Sequence, residues 1–414
     1  MCGLGVNLIM KSIQLSRKIL KINPSGTVVL GQKARELIAQ GKDVIQLGEG
    51  EPDFNTPDFI IEAAFKAAKQ GATKYTSVAG MEELRAKVAN KFSNDNGIRY
   101  RNEEIVIGNG AKQLIFNALL VSLNPGDQVI IPSPYWVSYP QMVKIADGEP
   151  IIVTCTKAED FKITPELLEN SLSAKTRWIL LNSPGNPTGA VYTKDDLLAI
   201  AEVLRKYPHV GIMCDDIYEK VIFENQDFYT MAQVAPDLSH RILTVNGVSK
   251  AYSMTGWRIG YAGGDQELIN SMIKLQGQST TNASSIGQIA ALAALSGNQH
   301  FLKDWKVLYE QRRDLISCRL REVFSDELTN PKGAFYHFIS CEKFLGNTTK
   351  KGRNLKSDRD FCQYLLEDFG VAVVPGSEFG CAGYFRLCFA KSEEKLVDAC
   401  QRIIDAVTSF ESIT

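Results

Sequence analysis

The chain has 414 residues, 44% of them hydrophobic and 22% charged, which is enough sequence for two domains or for one large α/β unit. Its formal net charge is −1, so no global field draws it to nucleic acid or to an anionic membrane, and small molecules are the expected partners. Nine scattered cysteines without a C-x-x-C pair predict free thiols in a cytoplasmic protein, and four histidines without ligand spacing argue against a metal site.

The first ten residues are mildly apolar, and the basic residues from Lys11 to Lys21 follow them. A secretory signal has the reverse order, and the apolar run is too short to span a bilayer. We therefore expect neither a signal peptide nor a membrane anchor, and either Met1 or Met10 as the start.

Short apolar runs alternate with helical patterns through the middle of the chain. Helical spacing is found at 81–92, 111–123, 197–205 and 268–275, and strand patterns at 104–107, 128–131, 178–181, 210–214 and 242–245. This alternation predicts a mostly parallel sheet covered by helices on both faces. Active groups should lie on loops at the carboxyl ends of its strands.

The C-terminal part has a different pattern. A long amphipathic helix is predicted from about 299 to 324, followed by an exposed loop at 347–356, a helix, a strand at 371–374 and a last helix from 392. This pattern is typical of a smaller α+β domain. We therefore predict an N-terminal arm with the first part of the small domain at 1–47, a large domain at 48–297 and the rest of the small domain at 298–414.

Several predicted strands end in segments that suit ligand binding. The run G-N-G-A-K-Q at 108–113 lies between a strand and a helix, where backbone N–H groups favour an anion, although a plain glycine turn is the alternative. Trp136, after the strand at 128–131, offers a ring face, unless it is a core residue. Asn186, in N-S-P-G-N-P-T-G at 182–189, has a fixed backbone and an available amide, and a structural loop is the competing interpretation.

Charged residues complete the set of candidates. Asp215 ends a strand and could hold a protonated ring nitrogen, with Tyr218 three residues on, although a helix N-cap is the alternative. Arg386 lies in an apolar strand and needs an anionic partner, either a substrate carboxylate or an internal ion pair. Lys250 lies among small residues, with Arg258 eight positions later. Burial or that cation would lower the pKa of the amine and make it a nucleophile, whereas most lysines are surface residues.

Taken together, these segments resemble the class I aminotransferases of fold type I, which use pyridoxal 5'-phosphate. The resemblance runs from about residue 16 to the C-terminus. It is carried by G-E-P-D-F at 50–54, K-Y at 74–75, S-P-Y-W at 133–136, N-P-T-G at 186–189, D-x-x-Y at 215–218, S-K-A at 249–251, G-W-R-I-G at 256–260 and Arg386. It implies an α/β fold in which the large domain binds the cofactor.

The resemblance also assigns roles at the cofactor. It implies that Lys250 forms the Schiff base and moves the substrate proton, that Asp215 keeps the pyridine nitrogen protonated, and that Trp136 stacks on the ring. Tyr218 and Asn186 would bind the phenolic oxygen. The residues expected to hold the phosphate are Gly110, Ala111, Ser249 and Arg258. Tyr75 would reach the phosphate of a neighbouring subunit, which implies a homodimer with shared sites.

At the substrate, the resemblance implies that Arg386 binds the α-carboxylate beside the backbone of Gly50, with Trp136 and Asn186 nearby. Lys112, directly after the phosphate-binding pair, resembles the prokaryotic-type aspartate aminotransferase branch, where this lysine meets the distal carboxylate. The implied reaction converts aspartate and 2-oxoglutarate to oxaloacetate and glutamate, with prephenate as a further acceptor that would give arogenate. P-S-G-T at 24–27 fits that branch, whereas Ala111 and Asp216 depart from its usual residues.

Other functions are compatible with parts of this pattern. An aromatic or broad-specificity aminotransferase, or a β-lyase with the same cofactor, would share most of the motifs. A transcription regulator with this fold needs a DNA-binding module, for which the roughly fifteen residues before the match are too few. A structural protein without cofactor is the remaining alternative.

Overall fold

The computed structural model describes residues 13, 15–22, 26–328 and 330–410 of the chain. Both candidate starts, Met1 and Met10, and the first residues of the P-S-G-T segment lie outside these ranges. The helices are α1 (Gly26–Ala39), α2 (Asp58–Lys69), α3 (Glu82–Asn96), α4 (Ala111–Ser122), α5 (Tyr139–Ile145), α6 (Pro165–Ser171), α7 (Lys194–Arg205), α8 (Met231–Val234), α9 (Gln266–Ser279), α10 (Ser285–Ser296), α11 (His300–Phe324), α12 (Asp358–Phe369) and α13 (Glu393–Thr408). The strands are β1 (Ile45–Gln46), β2 (Ile105–Gly108), β3 (Gln128–Ser133), β4 (Glu149–Thr154), β5 (Thr176–Asn182), β6 (Gly211–Asp215), β7 (Ile242–Gly247), β8 (Gly260–Gly263), β9 (Tyr336–Ser340), β10 (Val371–Ala372), β11 (Val374–Pro375) and β12 (Tyr384–Cys388).

A seven-stranded sheet forms the centre of the fold, in the order β2-β8-β7-β6-β5-β3-β4. β8 is antiparallel to both of its neighbours, and the other pairs are parallel. Alternate residues of β5 contribute to two different cores, with Ile179 and Leu181 in one and Trp178 and Leu180 in the other. Because side chains alternate along a strand, these cores lie on opposite faces of the sheet. The predicted α/β architecture with a mostly parallel sheet is confirmed.

The C-terminal part is built on a three-stranded antiparallel sheet of order β11-β12-β9. Its core includes apolar side chains of α11, α12 and α13. β1, near the start of the described chain, pairs in parallel with β10, so an N-terminal segment is joined to this part. The domain bounds at 47/48 and 297/298 stay a prediction.

The segment 347–356 was predicted to be an exposed loop. It contains no helix or strand, but Thr349 and Leu355 are buried and Thr348 forms an isolated bridge with Asn354. The prediction of exposure is therefore wrong for these side chains. The reason is local, because Leu355 is an apolar residue that joins the C-terminal core although lysines surround it in sequence.

None of the helices in the described residues combines the length and the apolar character that crossing a membrane requires.

Candidate active site

Three adjacent strands of the central sheet end at one edge, and residues at or just after their ends line a cavity. β5 ends at Asn182, β6 ends at Asp215, and β7 ends three residues before Lys250. The cavity has a volume of about 490 Å³ and is also lined by Tyr336 and Arg386 from the C-terminal sheet. Parallel strands thus place their polar ends together, as the sequence predicted.

Most of the predicted site residues line this one cavity. They are Gly50, Ala111, Lys112, Trp136, Asn186, Asp215, Tyr218, Ser249, Lys250, Arg258 and Arg386. Gly110 directly precedes Ala111 at the start of α4. Tyr75 is not among the lining residues and is 88% exposed.

The Lys250 amine is held inside the cavity. Its Nζ donates a hydrogen bond to the backbone oxygen of Gly50 at 2.7 Å. The pKa of Lys250 is lowered to about 8, mainly by burial, with smaller contributions from the charges of Arg386 and Arg258 that Cys388 and Glu51 oppose. An amine with this pKa is partly neutral near pH 8, so Lys250 is not an ordinary surface lysine. Arg258 contributes to the shift, but less than burial does.

Asp215 is buried at the end of β6 and has one strong partner. The hydroxyl of Tyr139 donates to its Oδ2 at 2.6 Å, whereas Oδ1 has no hydrogen-bond partner among the described residues. Burial raises the pKa of Asp215 to about 6, and the Tyr139 hydrogen bond opposes that rise. The helix N-cap interpretation is wrong, because a turn follows Asp215 and no helix starts there.

Arg386 is buried without a carboxylate partner in the described part of the chain. It donates to Asn186 Oδ1 at 2.8 Å and to the backbone oxygen of Gly48, and it lies 4.4 Å from the ring centroid of Tyr336. Its Nε has no partner among the described groups. The internal ion pair is therefore not found, and a carboxylate-binding role is left. The Tyr336 hydroxyl also lies 2.6 Å from the hydroxyl of Tyr218.

Gly110 and Arg258 form an anion-binding corner at the N-terminus of α4. Gly110 has a φ of +85°, and a Cβ there would lie 2.5 Å from an Arg258 nitrogen. The Arg258 side chain is oriented by the backbone oxygens of Thr255 and Asn109. A helix N-terminus with an adjacent guanidinium favours a bound phosphate.

Lys112 lines the cavity from α4, whereas Arg386 comes from β12, and Lys112 contacts an aromatic ring. Its Nζ lies 4.6 Å from the centroid of Trp136. Burial and the charge of Arg258 lower the pKa of Lys112. The cavity therefore presents Lys112 and Arg386 as two separate cations for a ligand with two carboxylates.

These features fit pyridoxal phosphate. The unpartnered Asp215 Oδ1 can accept a hydrogen bond from a pyridine N–H, and the amide nitrogen of Asn186, without a partner among the described residues, can donate to a ring oxygen. The corner at Gly110 suits the phosphate, and Lys250 supplies the amine. The described residues contain no cluster of three or more histidine, cysteine, aspartate or glutamate side chains able to hold a metal.

Sequence reasoning did not assign roles to Tyr139, Tyr336 or Asn182. Tyr139 follows the S-P-Y-W motif at 133–136 by three residues, but its contact with Asp215 depends on how α5 packs against the sheet. Asn182 is the last residue of a buried strand and bonds the backbone of Asp215, so its position could have indicated it. Nothing in the local sequence singles out Tyr336.

Comparison with known proteins gives one consistent family. The sequence model of the family described as "Aminotransferase class I and II" matches residues 42–403. The "Probable aspartate/prephenate aminotransferase" of Rickettsia felis is 51% identical over 396 residues, which cover 96% of this chain and 97% of the relative. The "Aspartate aminotransferase" of Rhizobium meliloti is 47% identical over 393 residues, or 95% of this chain and 96% of the relative.

Solved structures agree with the sequence relatives. The crystal structure of the aspartate aminotransferase from Rhizobium meliloti has a TM-score of 0.93 and 46% identity, covering 97% of this chain and all of that one. The aspartate aminotransferase from Thermus thermophilus with maleate has a TM-score of 0.87 and 39% identity, covering 95% of this chain and 99% of that one.

Proposed function

This chain belongs to the class I and II aminotransferase family, and from that premise we propose that it transfers the amino group of L-aspartate to 2-oxoglutarate, giving oxaloacetate and L-glutamate. The observation that carries the proposal is the single cavity that joins Lys250 and Asp215 to two separate carboxylate-binding cations, Lys112 and Arg386. The fold is the type I aminotransferase fold, and the family depends on pyridoxal phosphate.

Different residues of the cavity would bind different groups of the cofactor. Asp215 would pair with the ring nitrogen, and Tyr218 and Asn186 with the phenolic oxygen. Trp136 would lie against the ring. The phosphate would be bound by Gly110, Ala111, Ser249 and Arg258. This division is supported by the unpartnered Asp215 Oδ1 and by the close approach of Gly110 to Arg258.

The bound cofactor supplies a carbonyl carbon for the amino group and a ring that withdraws electrons from the substrate Cα. The chain's own residues supply the rest. Lys250 has a lowered pKa, so its amine can act as the base that removes the Cα proton and later returns it. Asp215 holds a negative charge that favours a protonated ring nitrogen. Arg386 fixes the α-carboxylate, and the walls of the cavity limit the access of water.

Lys112 and Arg386 set the substrate class. Two cations on different elements suit an acid with carboxylates at both ends, and the related Thermus thermophilus structure is described with maleate, a four-carbon diacid. Several relatives are named aspartate/prephenate aminotransferases. We therefore include prephenate, with arogenate as product, in the proposed range. The aromatic-specific and β-lyase alternatives gain no support from these names.

We also propose that the enzyme is a cytoplasmic homodimer in which Tyr75 reaches the phosphate of the neighbouring site. The 88% exposure of Tyr75 supports this role, because a large aromatic side chain is left without cover on a single chain. The eight cysteines of the described residues are all free, which suits a reducing compartment.

The decisive experiment is borohydride reduction of the purified holoenzyme followed by peptide mass mapping. The pyridoxyl group should be found on Lys250, and its appearance on another lysine would overturn the assignment. Two activity assays then define the substrate range. One varies the amino donor with 2-oxoglutarate as acceptor, and the other varies the oxo acid, including prephenate, with aspartate or glutamate as donor. Transamination that is absent with aspartate but present with aromatic donors would contradict the proposed reaction.

A further inference from the structure

Three polar side chains form a closed, buried cluster at the turn that follows β6. Lys91 Nζ pairs with the Glu219 carboxylate and donates to Asn96 Oδ1 at 2.8 Å, and Asn96 Nδ2 donates to Glu219 Oε2 at 3.1 Å. The side chains of Lys91 and Glu219 are only 6% and 5% exposed. We call Lys91, Asn96 and Glu219 the α3 polar triad.

The triad joins α3 to the turn that carries two proposed cofactor contacts. Lys91 and Asn96 belong to α3, and Glu219 directly follows Tyr218 in the turn after β6. The backbone N–H of Glu219 donates to the oxygen of Asp216 at 3.0 Å, which fixes the turn internally. Tyr218 and Asp215 line the cavity, whereas Glu219 does not. One side of the turn is therefore bound to α3 while the other side faces the cavity.

A second contact between the same two segments lies at the rim of the triad. Lys220 pairs with Asp95 at 2.7 Å, and Asp95 also lies 3.8 Å from Lys91. These groups are about one-third exposed, so water screens them more than it screens the Lys91–Glu219 pair. The buried pair is thus the stronger constraint on the turn.

A gain in folding stability alone does not explain why Lys91 and Glu219 form a buried ion pair. Desolvation of two charges often cancels their attraction, and replacement of such a pair by neutral side chains of similar size is commonly neutral or stabilising. What the charged, hydrogen-bonded triad adds is a fixed geometry, because each of its members has directional partners. The geometry that it fixes is that of the turn from Asp215 to Glu219.

We propose that the α3 polar triad is a positioning device that holds Tyr218, and with it the end of β6, against the cofactor. The inference rests on the proposed function, in which the Tyr218 hydroxyl donates to the ring oxygen. That hydrogen bond would stabilise negative charge on the ring oxygen and would so lower the pKa of the linkage between the bound cofactor and Lys250. If the triad is removed, Tyr218 shifts and this pKa rises.

The test is a pH titration of the visible absorption band of the reconstituted holoenzyme. It compares the wild type with Lys91→Met, the double variant Lys91→Met/Glu219→Gln, and Tyr218→Phe as the limiting case. Lys162→Met is the control, because Lys162 also pairs with a carboxylate but lies outside the cavity. Thermal unfolding of each cofactor-free protein is measured in parallel.

We expect the linkage pKa to rise by about half a unit or more in both triad variants, in the same direction as in Tyr218→Phe, while Lys162→Met leaves it unchanged. The double variant removes the unpaired buried carboxylate, so its Tm should return towards that of the wild type while its linkage pKa stays raised. A linkage pKa that returns with the Tm would overturn the positioning role. An unchanged pKa in every triad variant would overturn it as well. A wild type without a visible band would instead refute the proposed function on which the inference depends.

Discussion

Lys250 and Asp215 are both held where burial opposes their charged forms. Burial lowers the pKa of the amine to about 8 and raises that of the carboxyl to about 6. Near pH 7 both groups are therefore mostly charged. Keeping these charges away from water destabilises the folded protein, because in the unfolded chain water would solvate them. A ligand that bonds to both groups offsets this cost, so the site is arranged for binding at the expense of the stability of the empty protein.

The pKa of Lys250 makes a prediction about stability. Its folded value of about 8 lies below its ordinary value of 10.5, so the unfolded chain binds more protons between these values and stability rises with pH there. Lys250→Met has no such dependence. The lowered pKa corresponds to a desolvation cost of about 3 kcal/mol in the wild type at pH 7. Because Lys250 is only partly buried, we discount this value and expect the cofactor-free variant to be more stable by about 2 kcal/mol. This advantage should shrink between pH 8 and 10.5.

Differential scanning calorimetry of both cofactor-free proteins from pH 7 to 10 measures this difference. A Tm difference that stays constant with pH would show that the amine is not desolvated in the folded protein.

The position of the Lys112 cation in the cavity predicts that its removal changes the substrate preference. Removal of the cation should cost one charged contact to the distal carboxylate and little else, so Lys112→Met should lower kcat/KM for aspartate by about 10- to 100-fold. Phenylalanine, which has no distal carboxylate, should change by less than about threefold. Lys194→Met, at an exposed position outside the cavity lining, serves as the control. Equal losses for the two donors would contradict the role of Lys112.

At the scale of elements, the sequence predicted best those strands that are buried on both faces of the sheet. The strands β5, β6 and β7 were found because their residues are apolar on both faces, and the motifs after them locate the edge of the sheet. β8 was missed as a strand because Gly260-Tyr-Ala-Gly263 has little apolar signal. β4 was missed because the apolar run of this edge strand is only three residues long, Ile151 to Val153, and directly follows Pro150. Contacts such as Tyr139 with Asp215 depend on packing between elements, which no local pattern encodes.

The N-terminus of α4 gives a prediction about cofactor affinity. Gly110→Ala places a methyl group 2.5 Å from an Arg258 nitrogen and forces alanine to a φ of +85°. Arg258 must then move away from the phosphate, so the dissociation constant for pyridoxal phosphate should rise at least tenfold. Gly97→Ala is a matched control, since Gly97 also has a positive φ, of +67°, but a Cβ there would meet nothing within 4 Å.

Equilibrium titration of the two cofactor-free variants measures this effect. Both should lose some stability through backbone strain, but only Gly110→Ala should lose affinity. A similar affinity loss in Gly97→Ala would attribute the effect to strain in general and not to the corner at α4.

At the scale of the whole molecule, the site is assembled from distant parts of the chain. Arg386 comes from the C-terminal sheet, and its partners Asn186 and Gly48 come from a loop after β5 and from the segment after β1. Leu47 accepts a hydrogen bond from the backbone N–H of Cys388, so the same two regions meet again next to Arg386. The carboxylate binding that we propose for Arg386 would therefore depend on how the C-terminal part sits on the central sheet.

The role that we propose for the exposed Tyr75 would extend this dependence to a second subunit. If Tyr75 serves the site of its partner, a subunit with Tyr75→Ala still has an intact Lys250, and a subunit with Lys250→Ala still offers an intact Tyr75. In a mixed dimer these two intact residues meet in one site, whereas the other site lacks both. Random mixing of equal amounts makes half of the dimers mixed, so activity should recover to roughly a quarter of the wild-type value.

The experiment unfolds and refolds the two variants together and compares their activity with that of each variant refolded alone. Sedimentation velocity on the same samples reports the oligomeric state, so that a failure to form dimers is seen directly. If Tyr75 acts within its own subunit, neither site of a mixed dimer has both residues, and mixing restores nothing. Recovery of activity on mixing, at unchanged dimer content, therefore requires that one chain completes the site of the other. We expect this recovery because Tyr75 is exposed on a single chain.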